Sequence, residues 1–591
     1  MKFNFDIIST IKSPSDIKGM TMDRLHSAAD EMRQAVLYRT SEIGGHVGPN
    51  LGDVESIIAL HYVFNAPIDR LVLDVSHQDF PHKMITGRVN GFINPDDFDK
   101  IGEYTDPHES PKYDIFYAGH TSPSISLCVG LAKARDLRKD KYNVVAFIGD
   151  GALSGGEAFE GLNAGGALHS NLIVIVNDNQ MAIAPDSGGM YKGLRKLRET
   201  NGTANDNLFK AFGFDYLYIA DGNNLEDLIA AYRKVKDTDH PVVVHINTQK
   251  GEGYVPAEQN REKFHWSVPF DVATGDPKVF EKEPDYGDIL YDFLMDKGLN
   301  DKRSLIISTA TPGAFGLGPE EREKLGGHYL DPGIAEQTGV AIMAGAARDG
   351  AKVIYPVISS FLQRAYDQLM EDWAMDESPA LLVVGSTGIY GIPDQTHLGF
   401  WDIPMITSIP DIVYLAPTNA EEFKAMLEWG YSQKENKVAV RMPTRGFDRA
   451  DGEVATDYSD LNKFLITHKG KRVALIGVGD FYSKALEVAR LLSKEGIDAT
   501  IINPRFVSGV DSDMINELAA DHELIASLED GSIEGGFSQR VAGTAGPTGM
   551  KVLTFGLDKK FRDRYNPVEL EKELGLMPED IAARIISALE Q

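Results

Sequence analysis

The chain has 591 residues, 42% hydrophobic and 25% charged, a length that we expect to form two to four domains. Its 88 acidic and 59 basic residues give a net charge of −29, which disfavours nucleic-acid binding because phosphate contacts require clustered Lys and Arg. The single cysteine, Cys128, excludes an intrachain disulfide, and no run approaches the roughly 18 apolar residues that cross a bilayer. We therefore expect a cytoplasmic protein that acts on small molecules, without nucleic-acid or membrane partners.

Short Val/Ile-rich runs alternate with helical patterns in three blocks. In chain order the runs are RLVLDVS, NVVAFIGDG, NLIVIVNDN and HPVVVHINTQ, then SLIISTA, KVIYPVI, ALLVVGS, IVYLAP and VAVRMP, then RVALIGVG, DATIINPRF, ELIASLED and KVLTFGL. Apolar strands separated by helical crossovers are typical of parallel sheets covered on both faces. The pattern predicts three tandem doubly wound α/β domains, at 1–275, 295–450 and 465–591, with a polar linker within 270–300.

Oxygen-bearing side chains follow two of the predicted strands. NVVAFIGDG ends in Gly149, Asp150 and Gly151, and NLIVIVNDN ends in Asn179, with a helical crossover that would make the strands parallel and adjacent. The Asp150 carboxylate, the Asn179 side-chain carbonyl and the backbone carbonyl of Met181 would supply the oxygen ligands that Mg²⁺ prefers. The glycines would permit a tight turn and the close approach of a diphosphate to backbone N–H groups. This pair of strand ends is the pattern of thiamine-diphosphate enzymes.

Over nearly its whole length the chain resembles the 1-deoxy-D-xylulose-5-phosphate synthases, a transketolase-like family of thiamine-diphosphate enzymes. The resemblance is carried, in order, by GGHVGPNLGDVES, AGHTSPSIS, the GDG–Asn motif, KGEGYVPAE, IAEQ, SSFLQRAYDQ and DQTHLG. It implies a diphosphate-binding, a pyrimidine-binding and a smaller C-terminal domain, with thiamine diphosphate and Mg²⁺ as cofactors in a homodimer. The implied reaction is the decarboxylating condensation of pyruvate with glyceraldehyde 3-phosphate.

The resemblance also implies roles for individual residues at the cofactor. Glu336 would hydrogen-bond the aminopyrimidine ring and promote formation of the reactive thiazolium ylid, with Phe361 stacked on that ring and Arg364 near it. Lys250, at the end of a strand, could neutralise a phosphate. The remaining implied cofactor contacts, besides the strand-end residues, are Gly119, His120, Ser122 and Ala152.

Histidines form a second implied group, because imidazole exchanges protons near neutral pH and hydrogen-bonds to carboxylate, hydroxyl or phosphate oxygens. The resemblance places His46 and His265 at the substrate and His77 and His120 near the diphosphate and the thiazolium ring. His397 would border the donor site. Any one of these histidines alone would more often be a structural residue, so the assignment depends on their occurring together in matching motifs.

The chain departs from the family pattern where the acceptor substrate would bind. Ser386 occupies the position of an Arg that helps to hold the acceptor phosphate, and Pro393 and Asp394 replace an Asp-Gly pair. Asp394 could contact the acceptor hydroxyls from a shifted position. The family's YPRG appears within RMPTRG as MPTRG, with one extra residue, so either Arg441 or Arg445 could bind phosphate. These changes leave the acceptor, and the choice between pyruvate and a ketose as donor, open.

The sequence allows three alternatives to this reaction. The first is ketol transfer between sugars, or acyloin synthesis with a different aldehyde acceptor. The second is a non-catalytic cofactor-binding scaffold, which the retention of Asp150, Asn179, Glu336 and His46 disfavours. The third is a nicotinamide-dependent dehydrogenase built on GVGDF, which lacks the GxGxxG pattern. Release of CO₂ from pyruvate would distinguish the implied reaction from ketol transfer.

Overall fold

The computed structural model describes residues 3–278 and 283–590, which form two compact units. The first unit contains the described residues up to 278 together with Gly333–Ala335. The second contains the described residues from 283 to Pro332 and from Glu336 onward. No helix in these described ranges is both long and apolar enough to cross a membrane.

The first unit is built on one parallel sheet. Its strands are β1 (Arg70–Leu73), β2 (Val144–Gly149), β3 (Leu172–Asp178), β4 (Asp215–Ile219) and β5 (Pro241–Asn247). Their order is β1-β2-β3-β5-β4, and every neighbouring pair is parallel. The four strands predicted in this block are confirmed. Strand β4 was not predicted, because most of its residues are partly exposed and it lacks a continuous buried run.

Helices cover both faces of this sheet. Along β3, Ile173 and Ile175 enter one buried core, whereas Val174 and Val176 enter another. A strand buried on both faces carries the continuous apolar run that predicted it. The helices of the unit are α1 (Pro14–Lys18), α2 (Met22–Ile43), α3 (Gly48–Gly52), α4 (Val54–Val63), α5 (Phe80–Lys83), α6 (Asn90–Ile93), α7 (Ser124–Arg138), α8 (Asp150–Leu153), α9 (Gly156–Gly166), α10 (Met190–Glu199), α11 (Leu208–Ala211), α12 (Leu225–Val235) and α13 (Val255–Gln259).

The second unit contains two sheets. The strands of one are β6 (Ser304–Ile307), β7 (Tyr329–Leu330), β8 (Lys352–Ile358), β9 (Leu381–Gly385), β10 (Ile412–Leu415) and β11 (Lys437–Arg441), in the order β10-β11-β9-β8-β6-β7 and all parallel. Those of the other are β12 (Leu465–His468), β13 (Arg472–Gly477), β14 (Thr500–Asn503), β15 (His522–Ser532) and β16 (Lys551–Leu557), in the order β12-β14-β13-β15-β16. Only β12 is antiparallel among the strands described for this sheet. The α/β class with parallel sheets is therefore confirmed.

The two sheets of the second unit share a hydrophobic core. Tyr355 of β8 and Ile476 of β13 belong to the same buried cluster, which explains why two predicted domains form one compact unit. The three domain boundaries remain predictions. The helices of this unit are α14 (Tyr286–Asn300), α15 (Pro319–Leu325), α16 (Glu336–Arg348), α17 (Ser359–Leu362), α18 (Tyr366–Gln368), α19 (Asp402–Thr407), α20 (Ala420–Ser432), α21 (Phe481–Lys494), α22 (Ser512–Leu518), α23 (Phe537–Ala545), α24 (Pro567–Glu573) and α25 (Pro578–Glu590).

The predicted linker within 270–300 is shorter than expected. Helix α14 begins at Tyr286, and the Asp285 side chain accepts a hydrogen bond from the backbone N–H of Asp288 at 3.0 Å. An N-terminal cap of this kind allows a helix to start inside an acidic, polar stretch. Residues 279–282 of the predicted linker lie outside the described residues.

Candidate active site

The predicted metal-binding residues lie at the ends of two neighbouring strands. Gly149 of β2 pairs with Asn177 of β3, so the prediction that these strands are parallel and adjacent is confirmed. The backbone N–H of Gln180 donates to the Asp150 carboxylate at 2.6 Å, and the N–H of Met181 donates to the Asn179 side-chain oxygen at 3.1 Å. These bonds hold the turn after β3 against the turn after β2, which brings the three candidate ligands together.

Asp186 is a second carboxyl group at this place, and sequence reasoning missed it. Met181 and Pro185 form a β-bridge that turns the chain back toward the strand end. Burial raises the pKa of Asp150, and the negative charges of Asp186 and Asp178 raise it further. Burial also raises the pKa of Asp186 to about 6. Crowded, buried carboxyl groups are the environment that a divalent cation stabilises.

The described residues contain no cluster of three or more His, Cys, Asp or Glu side chains that could hold a metal ion. The ligand set expected from the sequence has a single carboxylate, Asp150, and takes its other oxygens from an amide and a backbone carbonyl. The expected ligand set therefore does not need a cluster of acidic and histidine side chains. The Oδ1 atom of Asp186 is buried without a hydrogen-bond partner among the described residues, so this oxygen could coordinate a cation.

Open space lies beside the first glycine of the turn. A Cβ atom at Gly149 would lie more than 4 Å from every described heavy atom beyond its own neighbours. At Gly151 a Cβ would approach the Ala182 Cα to 2.9 Å, so the chain packs tightly there and requires glycine. The strand end is thus closed on one side and open on the other, as a site for a diphosphate would be.

The segment that contains Gly119 and His120 is tied to the same turn. The Ser122 side chain donates to the Ala152 carbonyl at 2.8 Å, while the backbone N–H of Ser122 donates to Asp74 at 2.7 Å. Gly119 is buried and His120 is half-buried. The structure therefore brings these predicted cofactor contacts to the turn that carries Asp150.

Three of the predicted histidines form a cluster. The ring centroids of His46, His77 and His265 lie 5.1 to 5.5 Å from one another. A nitrogen of His46, Nδ1, lies 2.6 Å from a carboxylate oxygen of Glu103, a partner that the sequence did not suggest. The Nδ1 atom of His77 is buried without a hydrogen-bond partner among the described residues. A polar ligand would satisfy the hydrogen-bonding capacity of this buried ring nitrogen.

Lys250 lies against this cluster rather than on the surface. Its ammonium nitrogen donates to the Ala182 carbonyl at 2.7 Å and lies 3.0 Å from Nδ1 of His265. Burial lowers the pKa of Lys250 to about 7. Burial, with the nearby lysine and histidines, also holds the pKa values of His77 and His265 well below the ordinary value, so both are neutral at neutral pH. A phosphate or carboxylate ligand would favour the charged form of the lysine.

In the second unit, Glu336 begins helix α16 and is 3% exposed. Its Oε2 atom is buried without a hydrogen-bond partner among the described residues, and a nitrogen of Arg364 lies 3.7 Å from it. Burial raises the pKa of Glu336, and the arginine only partly offsets this. Such a carboxyl group is suited to hydrogen-bond a ring nitrogen and to hold a proton there. Phe361 and His397 lie in edge-to-face contact, with ring centroids 5.3 Å apart.

Arg441 is not available for a phosphate, which corrects one of the two alternatives drawn from RMPTRG. Its side chain is 2% exposed, and its guanidinium nitrogens donate to Asp402 at 2.7 Å and to Asp530 at 2.7 Å. Burial of a charge requires such pairing, and the two carboxylates provide it. The sequence offered no sign of this, because Asp530 lies 89 residues away.

Arg445 is half-buried and is the remaining candidate for binding phosphate. One of its nitrogens donates to Ser483 at 3.0 Å, and its guanidinium carbon lies 5.7 Å from the centre of the Tyr390 ring. The Tyr390 hydroxyl in turn donates to Glu571 at 2.6 Å. Tyr390 lies in the loop 386–399, which also carries Ser386 and Asp394. Sequence reasoning passed over this tyrosine, since its partners come from distant parts of the chain.

Hydrogen bonds hold the first half of the loop 386–399 against the C-terminal part of the chain. The Ile389 N–H donates to the Asp530 carbonyl at 2.9 Å, and the Ile389 carbonyl accepts from the Tyr565 hydroxyl at 2.9 Å. Together with the Tyr390–Glu571 bond, these contacts hold the loop backbone at successive residues.

Asp480 contacts the backbone at Arg445, and its raised pKa predicts that the stability of the protein depends on pH. Its carboxylate accepts from the backbone N–H groups of Thr444 at 2.9 Å and Arg445 at 3.1 Å. Burial raises the pKa of Asp480 to about 7, and the charge of Asp530 adds to this. A carboxyl group whose pKa is raised on folding stabilises the protein fully below its unfolded pKa, and that contribution is lost as pH rises through the folded value.

We therefore expect Asp480→Asn, which keeps an oxygen acceptor, to lose less free energy of unfolding than the native protein between about pH 5 and pH 8. Urea denaturation at both pH values measures the difference. The exposed carboxylate of Asp460 provides the control, and Asp460→Asn should follow the native protein. Parallel pH profiles for the native and Asp480→Asn proteins would contradict the expectation.

Three family models match successive parts of the chain. Residues 8–205 and 200–248 match the model described as 1-deoxy-D-xylulose-5-phosphate synthase. Residues 283–447 match the transketolase pyrimidine binding domain, and residues 462–581 match the transketolase C-terminal domain. The fold and these matches define a transketolase-like protein.

Curated relatives match the chain over its full length. A 1-deoxy-D-xylulose-5-phosphate synthase of Brevibacillus brevis is 35% identical over 626 aligned positions, covering 99% of this chain and 98% of the relative. One from Chlorobaculum tepidum is 36% identical and covers 98% of both chains. The chain belongs to the 1-deoxy-D-xylulose-5-phosphate synthase family. A solved transketolase from Campylobacter jejuni is 17% identical, covers 96% of this chain and has a TM-score of 0.43.

Proposed function

We propose that the protein is a thiamine-diphosphate-dependent enzyme that condenses pyruvate with glyceraldehyde 3-phosphate, with loss of CO₂, to 1-deoxy-D-xylulose 5-phosphate. The observation that carries the proposal is the buried Glu336 carboxyl group, whose Oε2 has no hydrogen-bond partner among the described residues. A buried carboxyl oxygen without a hydrogen-bond partner is costly unless a ligand donates to it. Full-length similarity to relatives named for this reaction supports the choice of substrates.

Each part of the implied cofactor has candidate residues that fit it. Asp150, Asn179 and the Met181 carbonyl would hold Mg²⁺ at the diphosphate, next to the open space at Gly149. Glu336 would hydrogen-bond the pyrimidine ring. When bound, thiamine diphosphate supplies a carbon nucleophile that adds to the 2-oxo group of the donor.

The histidine cluster would bind the substrates. His77 and His265 are neutral at neutral pH, so each ring offers one N–H donor to an oxygen of the donor or of the growing product. The bond of His46 to Glu103 orients that ring. Lys250 would bind an anionic group, because burial lowers its pKa to about 7 despite the nearby Asp150 and Asp186, and a further negative charge would raise it.

Arg445 would bind the acceptor phosphate, and its replacement tests this. We expect Arg445→Met to raise the KM for glyceraldehyde 3-phosphate about 10- to 100-fold, since a charge-assisted hydrogen bond contributes about 1.5–3 kcal/mol. The KM for pyruvate should change little. Steady-state kinetics with each substrate varied in turn measures both effects.

The matched control for that experiment is Arg449→Met, since Arg449 is 67% exposed and pairs with Glu421 on the surface. It should leave both KM values unchanged. An unchanged KM for glyceraldehyde 3-phosphate in Arg445→Met would remove this arginine from the phosphate site.

A second candidate function is acyloin synthesis with an aldehyde that lacks the phosphate. The observation that favours it is the loss of one expected phosphate contact, because Ser386 replaces an arginine and Arg441, engaged by Asp402 and Asp530, cannot replace it. Pyruvate should be crossed with phosphorylated and free aldehydes, with Mg²⁺ and thiamine diphosphate supplied, and products identified by mass spectrometry. Formation of 1-deoxy-D-xylulose 5-phosphate supports the first function, whereas failure to release CO₂ from pyruvate with any acceptor excludes both.

The family resemblance also supports a homodimer, for which analytical ultracentrifugation is the test. A cytoplasmic location, predicted from the single cysteine, remains a prediction.

A further inference from the structure

Asn50 joins two of the three clustered histidines through its side chain. It lies in helix α3 and is fully buried. Its amide nitrogen donates to the backbone carbonyl of His46 at 2.8 Å and to that of His77 at 2.9 Å. Its amide oxygen accepts from the backbone N–H of Phe80 at 2.9 Å. Both N–H groups of the amide are therefore used to hold one histidine backbone against the other.

The backbone that leads to His77 requires support of this kind. Val75 and Ser76 have φ angles of 49° and 51°, in the left-handed region that a β-branched residue such as valine rarely adopts. An unfavourable conformation persists only where surrounding contacts determine it. The Ser76 hydroxyl supplies one such contact by donating to the Ala118 carbonyl at 2.7 Å, and Asn50 supplies another at the next residue.

The segment that carries His46 is held in a different way against the segment of His265. Two backbone hydrogen bonds, of 2.9 and 3.0 Å, join Gly45 to Ser267. Backbone bonds of this kind do not depend on a particular side chain. The described link to His77 is made by one side chain, so a single replacement can test it.

We propose that Asn50 is a positioning residue, which holds the imidazole rings of His46 and His77 at the separation at which both contact one bound substrate molecule. The two ring centroids lie 5.2 Å apart in edge-to-face contact. This separation is a property of the chain alone, whereas the contact with substrate rests on the proposed function. Without the amide N–H groups we expect the strained turn at residues 75–76 to relax and to displace His77. A displacement of about 1 Å is enough to lower catalysis about 100-fold.

A purely structural role for Asn50 would be to cap a helix. Phe80 is the first residue of helix α5, and the N–H groups of a first turn have no partner within their helix. Two replacements separate this role from positioning. Asn50→Asp keeps an oxygen acceptor for Phe80 but has no amide N–H groups, and even a protonated carboxyl group could donate only once. Asn50→Leu has a similar size and removes the donors and the acceptor together.

Nuclear Overhauser effects between ring protons report the separation without any reaction, because they fall steeply with distance. The sample is deuterated protein with protonated histidine rings, and the two rings are assigned by the loss of their signals in His46→Gln and His77→Gln. We expect a cross-peak between the rings in the native protein and its loss in both Asn50 variants. Asn207→Asp is the matched control, because Asn207 is a buried asparagine that caps helix α11, and it should keep the cross-peak.

Steady-state kinetics tests the consequence for catalysis. With pyruvate and glyceraldehyde 3-phosphate as substrates, we expect Asn50→Asp and Asn50→Leu to lower kcat/KM by similar factors, about 10- to 100-fold. Asn207→Asp should behave as the native protein. Circular dichroism checks that each variant folds, and Asn50→Ser, which can donate only one hydrogen bond, takes the place of Asn50→Asp if that variant does not.

Retention of either the cross-peak or the native kcat/KM in Asn50→Asp would overturn the proposal. If only Asn50→Leu lost them, the side chain would act as a helix cap. Absence of the cross-peak from the native protein would also overturn the proposal, and this result does not depend on any variant folding. If the native protein formed no product from the two substrates, the proposed function would fail, while the cross-peak would still test the ring separation.

Discussion

Glu336→Gln is expected to lower turnover by at least about 100-fold while thiamine diphosphate still binds. Glutamine has the shape of glutamate and still hydrogen-bonds, but it carries no negative charge and cannot take up a proton at the same atom. The native carboxyl group is 3% exposed, so bulk water cannot replace its effect on a neighbouring ring nitrogen. Steady-state kinetics gives the turnover, and titration calorimetry gives the affinity for the cofactor.

The matched control is Glu320→Gln, because the Glu320 side chain is 83% exposed and pairs with Lys324 on the surface of the same unit. It should retain native turnover. Native turnover in Glu336→Gln would rule out the proposed activation of the cofactor, whereas loss of cofactor binding in that variant would point to a binding role for the glutamate instead.

The second large effect is expected for Asp150→Asn. Removing the carboxylate takes away the only charged ligand in the predicted Mg²⁺ set, so we expect the Mg²⁺-dependent affinity for thiamine diphosphate to fall at least about 100-fold. We expect the Asp150→Asn variant to fold as the native protein does. Asn loses one of the two backbone hydrogen bonds that Asp150 accepts, but it also relieves repulsion from Asp186 and Asp178.

Titration calorimetry with and without Mg²⁺ measures the affinity, and urea denaturation measures the free energy of unfolding. Asp239→Asn is the control, since the Asp239 side chain is 99% exposed. Cofactor binding in Asp150→Asn that remains strong and dependent on Mg²⁺ would place the metal elsewhere, with Asp186 as the next carboxylate to replace.

The strands and the polar residues at their ends could be predicted because they depend on local sequence. A strand buried on both faces must be continuously apolar, and polar residues such as Asp150 can appear only where the strand ends. The same reasoning could not find β4 or the two-residue strand β7, because neither carries a long buried run.

Contacts between distant residues account for what the sequence did not reveal. Asp186 reaches Asp150 only because Met181 and Pro185 form a bridge in the loop between them. The burial of Arg441 depends on Asp530, which lies in a different sheet. A charge in a sequence predicts neither its burial nor its partner, and the choice between the two arginines of RMPTRG therefore required the structure.

We propose that the anchoring of the loop 386–399 separates substrate choice from cofactor chemistry during evolution. Tyr390 and Ile389 are held by Glu571 and Tyr565, which belong to the C-terminal part of the chain and are not among the residues assigned to the cofactor. We therefore expect mutations near helix α24 to shift the loop by small amounts and to alter which aldehyde is accepted. We expect paralogues with new acceptors to diverge in that C-terminal segment while Asp150 and Glu336 stay the same.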